Sequence, residues 1–142
     1  MKDYKIFLVD DNTFSLHLYQ EHLRKEGYNN LHLFEDGTAF LNKLSDMPKI
    51  VILDHGLPDV NGLEVLRRIK RMDPNIYVIM LSGQEDLMVA VDSLKYGAFD
   101  YIMKDTNELE KLSEVLQRIE RFDEILNRQK PRLIKRLFSA IF

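Results

Sequence analysis

Five short apolar runs alternate along the chain with longer stretches in which apolar residues recur every three or four positions. Ile6-Phe7-Leu8-Val9 closes a first strand of about residues 4–9. A helix of about 13–26 follows, with Leu16, Tyr19 and Leu23 on one face and Gly27 just past its end. A shorter strand spans Asn29 to Phe34, and Phe40, Leu41 and Leu44 mark a helix over 36–46 that Pro48 breaks. Lys49 to Leu53 is a third strand. Gly56 and Pro58 make a loop, and a helix of about 62–72 carries Leu63, Leu66 and Ile69 ahead of Pro74. The fourth strand covers 76–81, and the helix of about 85–96 sets Leu87, Ala90, Val91 and Leu94 on one face before Gly97. Phe99 to Met103 is the fifth strand, and 107–127 is a long helix with Leu109, Leu112, Leu116 and Ile119 inward.

The third and fourth strands are continuous apolar runs, as strands are when helices cover both faces of a sheet. Short strands alternating with helices predict a parallel α/β sheet with right-handed crossovers. In such a sheet, groups at the carboxyl ends of the strands gather in one crevice. Here those groups are Asp10 and Asp11, Asp54, Ser82 and Lys104. Clustered carboxylates repel. At about 4 Å, two like charges cost roughly 4 kcal/mol even at an effective dielectric near 20. Either their pKa values rise or a cation sits among them. Mg²⁺ is the natural occupant, since it takes oxygen ligands. It would draw on Asp11, Asp54 and the backbone carbonyl of Gly56, with Asp10 acting through water. Ser82 offers a donor to an incoming oxyanion, Lys104 can pair with the carboxylates or with an anion on one of them, and Gly83 lets a backbone amide approach. Taken singly, each of these residues reads as a cap, a turn or a surface lysine; together they read as a site.

Composition narrows the picture. The 142 residues fit one domain, and 45% hydrophobic content supplies a core. Without cysteine there is no disulfide, thiol nucleophile or thiolate metal site. The start Met-Lys-Asp-Tyr-Lys leads straight into a strand, and no apolar run approaches the roughly 18 residues that span a bilayer, so a cytoplasmic location is expected. His17, His22 and His32 lack metal spacing with acids and read as surface or half-buried residues. The side chain of His55 diverges from Asp54, which leaves it no catalytic role. No Ser-His-Asp arrangement, glycine-rich phosphate loop or P-loop lysine is present.

Four motifs carry a resemblance. Phe7-Leu8-Val9-Asp10-Asp11, Leu53-Asp54-His55-Gly56-Leu57-Pro58-Asp59-Val60-Asn61-Gly62, Leu81-Ser82-Gly83 and Gly97-Ala98-Phe99-Asp100-Tyr101-Ile102-Met103-Lys104 together resemble the receiver domain of bacterial two-component response regulators, over residues 4 to about 125. The resemblance implies a doubly wound, flavodoxin-like five-stranded parallel sheet in the order 2-1-3-4-5, with helices on both faces. It implies that Asp54 accepts a phosphoryl group from a sensor histidine kinase or phosphotransfer protein, and that Asp10, Asp11 and Asp54 hold Mg²⁺. It further implies that Ser82 and Lys104 bind the phosphoryl oxygens and that Tyr101 is an aromatic switch. Phosphorylation would then remodel the face of helix 85–96, the fifth strand and the last helix. One departure is Asp105, where the family usually has a proline after a cis peptide bond. That bond before a non-proline residue costs about 3 kcal/mol, which leaves either isomer open. Asp105 with Glu108 also has the spacing of a helix capping box.

Charge sets off the last segment. Of the 20 basic and 23 acidic residues, Arg128, Lys130, Arg132, Lys135 and Arg136 lie in 128–142 with no acid, giving +5; residues 1–127 keep 15 basic and 23 acidic, giving −8. Residues 1–127 therefore read as the receiver and 128–142 as a basic amphipathic C-terminal extension. Leu133, Ile134, Leu137, Phe138, Ile141 and Phe142 have helical spacing. The expected helix would bury Leu133, Leu137, Phe138 and Ile141 against its own receiver or a second copy, as a homodimer. An interfacial membrane helix, a partner-binding segment and the stub of a longer protein are the alternatives. The segment is too short for a helix-turn-helix, so sequence-specific nucleic acid binding is not expected. Two other functions compete with a phosphorylation switch. A Mg²⁺-dependent phosphohydrolase using Asp54 would commonly keep a carboxylate two residues on, where Gly56 stands; the other is a phosphorylation-independent interaction module.

Overall fold

The computed structural model describes the backbone of residues 3–83 and 87–141, and the side chains of residues 3–83 and 87–129. The strands are β1 (Ile6–Val9), β2 (Leu31–Phe34), β3 (Ile50–Asp54), β4 (Tyr77–Ser82) and β5 (Asp100–Met103). All neighbours pair in parallel, in the order β2-β1-β3-β4-β5. The helices, which cover both faces, are α1 (Thr13–Lys25), α2 (Gly37–Lys43) with a 3₁₀ turn at Leu44–Asp46, α3 (Gly62–Met72), α4 (Leu87–Lys95) and α5 (Glu108–Ile141). This is the doubly wound α/β architecture expected. The chain divides into two compact units, Met1–Leu109 and Glu110–Phe142.

Every residue of β1, β3 and β4 is buried, which is why those strands read as unbroken apolar runs. Alternate residues serve alternate faces. Phe7, Val9, Val51, Leu53, Val78 and Met80 cluster with Phe40 of α2 and Val65, Leu66 and Ile69 of α3. Each large apolar side chain buried in this way contributes roughly 1.5–3 kcal/mol. Side-chain caps start the helices. Asn12 accepts from Ser15 N, Asp36 from Ala39 N, and Asn61 from Leu63 N and Glu64 N. Such caps are typically worth about 1 kcal/mol each. Asp59 adds a second anion at the start of α2, accepting from Gly37 N at 3.1 Å, Thr38 N at 3.0 Å and Thr38 Oγ1 at 2.9 Å. These amides hold its carboxyl below the usual range and tie the loop after β3 to α2. A side chain at Gly37 would collide with Val60, so only glycine admits this approach.

The structure adds to the reading of α4 and α5. The apolar face of α4 is not buried: Leu87, Met88, Val91 and Leu94 are exposed, with Leu87 77% exposed, and the one buried residue of α4 is Ser93, whose hydroxyl donates to the Val89 carbonyl at 2.7 Å. Periodicity reports that a helix has an apolar stripe, not what covers it. The last helix does not end at residue 127. It runs without a break through Pro131 to Ile141, so the expected domain boundary falls inside α5. Proline already holds a helical φ; it removes one backbone donor and crowds the preceding turn, but it does not force an end. In the second unit Leu112, Val115, Leu116 and Ile119 are buried. The burial expected for Leu133, Leu137, Phe138 and Ile141 lies outside the described side chains. Asp105 accepts from Asn107 N at 2.8 Å, while Glu108 turns to Tyr19. No peptide bond among the described residues is cis, so the Lys104–Asp105 bond is trans.

Candidate functional site

β1 and β3 pair with Val9 beside Leu53, and on each strand the next residue is an aspartate. Asp10 and Asp54 therefore emerge side by side, where the chain runs to β2 on one side and to β4 on the other. Asp10 and Asp54 are buried and Asp11 is exposed. Carboxylate oxygens of all three lie within 4.8 Å of one another. Across the sheet, Asp54 pairs with Leu81 and Ser82 with Met103, which brings Ser82 and Lys104 to the same edge. The Lys104 amide donates to the Ser82 carbonyl at 2.8 Å and fixes the start of the lysine side chain.

Lys104 Nζ reaches back to Asp10 Oδ2 at 2.7 Å and to Asp54 Oδ1 at 3.4 Å. Backbone amides contribute too: Asn12 N donates to Asp10 Oδ1 at 2.8 Å and Gly56 N to Asp54 Oδ1 at 3.2 Å. Burial pushes the Asp54 carboxyl above its ordinary value; Lys104 opposes this, the Asp10 charge adds to it, and the Gly56 amide works against it. Burial alone would lower Lys104, but the hydrogen bond it donates to Asp10 and the charges of Asp54 and Asp10 outweigh it, and the ammonium is held above its usual range. Asp10 and Asp54 thus share one ammonium, and Asp11 adds a third negative charge beside them. A set of hard oxygen donors with excess negative charge fits a divalent cation of the Mg²⁺ type.

The other expected residues sit around this cluster. Ser82 is buried at the end of β4. A Cβ on Gly56 would stand 3.8 Å from Asp54 Oδ1, and one on Gly83 would meet nothing within 4 Å. Tyr101 is half-buried and packs against the core cluster that includes Phe7, Val9, Leu53 and Met80. The His55 amide donates to Leu81 O at 2.7 Å, a backbone role only. Tyr19 was legible only as a core position. Its hydroxyl donates to Glu108 Oε2 at 2.8 Å, and burial, then Glu108, then the charges of Asp10 and Asp54 raise its pKa. Nothing in the spacing of residues 19 and 108 signals that contact.

A family model for the response regulator receiver domain matches residues 6–117. The chain belongs to this family. The receiver is 34% identical over 121 residues to the DNA-binding response regulator MtrA of Mycobacterium tuberculosis, covering 84% of this chain and 52% of that protein. It is 28% identical over 101 residues to the chemotaxis protein CheY of Thermotoga maritima, covering 70% of this chain and 84% of that one. A CheY-like receiver domain protein from Methanospirillum hungatei superposes with a TM-score of 0.77 at 28% identity, covering 86% and 98% of the two chains. The chain spans about half the length of the MtrA proteins it matches. A receiver domain is a signalling component of two-component systems rather than a classical enzyme. Among the described residues no helix is long and apolar enough to cross a membrane.

Proposed function

We propose that this receiver is a cytoplasmic phosphorylation-controlled switch with Asp54 as phosphoryl acceptor. One observation carries the reading: Asp10, Asp11 and Asp54 converge within 4.8 Å, with Lys104 bridging two of them. The donor is a sensor histidine kinase or phosphotransfer protein. An Asp54 oxygen attacks phosphorus, the new P–O bond forms as the P–N bond of phosphohistidine breaks, and the electron pair stays on the imidazole. Phosphoryl transfer asks a protein mainly for in-line positioning and neutralisation of oxygen charge. Asp11, Asp54 and the Gly56 carbonyl, with Asp10 through water, would hold Mg²⁺, which would supply part of that neutralisation. Lys104 supplies the rest, and Ser82 donates to a phosphoryl oxygen.

The phosphoryl group adds a dianion where a carboxylate stood. Ser82 is drawn toward it, and Tyr101 follows into the space vacated under α4. The exposed apolar face of α4, together with β5, is the output surface that this two-state change remodels. Water returns the receiver to its resting state by hydrolysing the phosphoaspartate. Gly56 leaves the approach to Asp54 open, and its lack of a carboxylate disfavours a turnover phosphohydrolase. We assign residues 1–127 to the receiver and 128–142 to an extension through which two copies associate.

Incubation with Mg²⁺ and acetyl phosphate, followed by intact mass measurement, tests the reading. A switch gains one labile phosphoryl group. Many turnovers of donor without a stable adduct indicate a phosphohydrolase, and neither result indicates an interaction module.

A further inference from the structure

A cavity of about 580 Å³ lies between α2, the loop after β3 and α3, a size suited to one small molecule. Its apolar wall is Val65, which is buried, with Leu41 and Val60, which are half-buried. Arg67, Arg68 and Arg71 line it from α3 together with Glu64; these four stand at i, i+3, i+4 and i+7 and share one helix face. The Arg67 guanidinium lies over the Tyr96 ring, 4.7 Å from its centroid. Stacking occupies the face of a guanidinium and leaves its N–H edge to donate. Among the described residues, none of the three arginines makes a side-chain hydrogen bond or an ion pair. Two acids border the cavity, Asp59 and Glu64. Both oxygens of Asp59 already accept from amides at the start of α2. Three guanidinium groups thus face two carboxylates, one of them engaged elsewhere, in a chain whose residues 1–127 carry −8.

We propose that this cavity binds a small organic anion, an oxyanion of the carboxylate or phosphate type carried on a compact apolar body. Arginine suits that oxyanion because its planar fork donates two parallel hydrogen bonds to a pair of oxygens. The apolar body lies against Leu41, Val60 and Val65, where removal of apolar surface from water adds affinity. Each half of the site selects against a different impostor. A neutral apolar molecule leaves the guanidinium groups without a partner, and a bare inorganic ion gains nothing from the apolar wall. None of Asp10, Asp11, Asp54 and Lys104 lines the cavity, so the proposal stands apart from the phosphorylation reading.

Titration of the whole ¹⁵N-labelled chain with phenyl phosphate and, separately, with phenylacetate tests this, read from the backbone amide shifts. Mg²⁺ is left out so that no cation recruits the phosphate to Asp54. Saturable shifts confined to residues 59–71 and their neighbours in α2 are expected, with a Kd of about 1 mM or tighter. Saturation by one probe alone supports the proposal and says whether phosphate or carboxylate is the preferred group. No saturable shift there with either probe overturns it. So does equal affinity for the neutral 2-phenylethanol, which shows an apolar pocket that does not read charge. Arg68 and Arg71 are exposed, so Arg68→Gln with Arg71→Gln leaves the urea midpoint unchanged while weakening the anion about tenfold. A double variant that binds as tightly as the wild type overturns the proposal.

Discussion

Lys104 Nζ lies 2.7 Å from Asp10 Oδ2, closer than its 3.4 Å approach to the proposed acceptor Asp54. The resting ammonium therefore serves chiefly to neutralise a buried carboxylate. Lys104→Met leaves Asp10 and Asp54 without a counter-charge. Breaking a buried pair in this way typically costs about 3–5 kcal/mol, and a loss at the lower end is expected because Asp11 faces solvent. Urea unfolding in metal-free buffer measures it. Since the folded-state pKa of Lys104 is raised, the wild-type stabilisation is present below the unfolded lysine pKa and is lost as pH rises through the folded value. A loss no larger than that of an exposed lysine shows that the pair contributes nothing.

Asp54→Asn is expected to abolish phosphoryl uptake while the fold persists. The same change stabilises the metal-free protein at neutral pH. Burial holds the Asp54 carboxyl above its ordinary value, so the folded state favours the protonated form. The group's contribution is fully present below the unfolded aspartate pKa and is lost as pH rises through the folded one. Replacing the carboxylate with an amide removes that loss, and thermal melts of the two proteins converge as pH falls. Phosphorylation of Asp54→Asn at the wild-type rate would sink the acceptor assignment.

Asp11→Ala weakens Mg²⁺ binding more than Asp10→Ala. Both oxygens of Asp10 are already engaged, one by the Asn12 amide and one by Lys104, whereas the Asp11 carboxylate is exposed and has no hydrogen-bond partner among the described residues. A Mg²⁺ titration followed by NMR ranks them. An equal loss, or a larger one for Asp10, contradicts the roles of direct and water-mediated ligand. Mg²⁺ itself raises the unfolding midpoint of the wild type, since only the folded state gathers the ligands.

Tyr19→Phe removes the hydroxyl that donates to Glu108 at 2.8 Å. Hydrogen bonds to charged groups contribute about 1.5–3 kcal/mol, and Glu108 is half-buried, so a loss of about 1.5 kcal/mol is expected at neutral pH. The raised Tyr19 pKa places that stabilisation below the unfolded tyrosine pKa, with loss only on the alkaline side. Chemical denaturation of the single variant and of the double variant with Glu108→Gln measures the coupling. Additive effects of the two changes mean that the contact is energetically idle.

A longer side chain at Gly56 slows hydrolysis of the phosphoaspartate. The backbone there is not in the left-handed region, and a Cβ would make ordinary contact with Asp54 Oδ1 at 3.8 Å, so Gly56→Met fits and covers the oxygen. A several-fold longer half-life is expected, read from the decay of the phosphorylated mass in Mg²⁺ buffer. An unchanged half-life shows that water approaches from elsewhere.

The order of strands and helices was legible in the sequence because local physics writes it there. Period-two or continuous apolar runs, helical periodicity and glycine or proline punctuation all act within a few residues. The placement of Asp10, Asp11, Asp54, Ser82 and Lys104 at strand ends followed from the same pattern, and parallel pairing then brings those ends together. What only the tertiary structure decided depends on residues far apart in the chain. Lys104 favours Asp10 over Asp54, Glu108 accepts from Tyr19, and Asp59 holds the start of α2. The α4 stripe of Leu87, Val91 and Leu94 marks the same limit: its amphipathicity is written in the sequence, but its exposure is not. A side chain's neighbours within its own helix or strand are set by its spacing, whereas the group it meets across the fold is set by packing among elements that spacing does not encode.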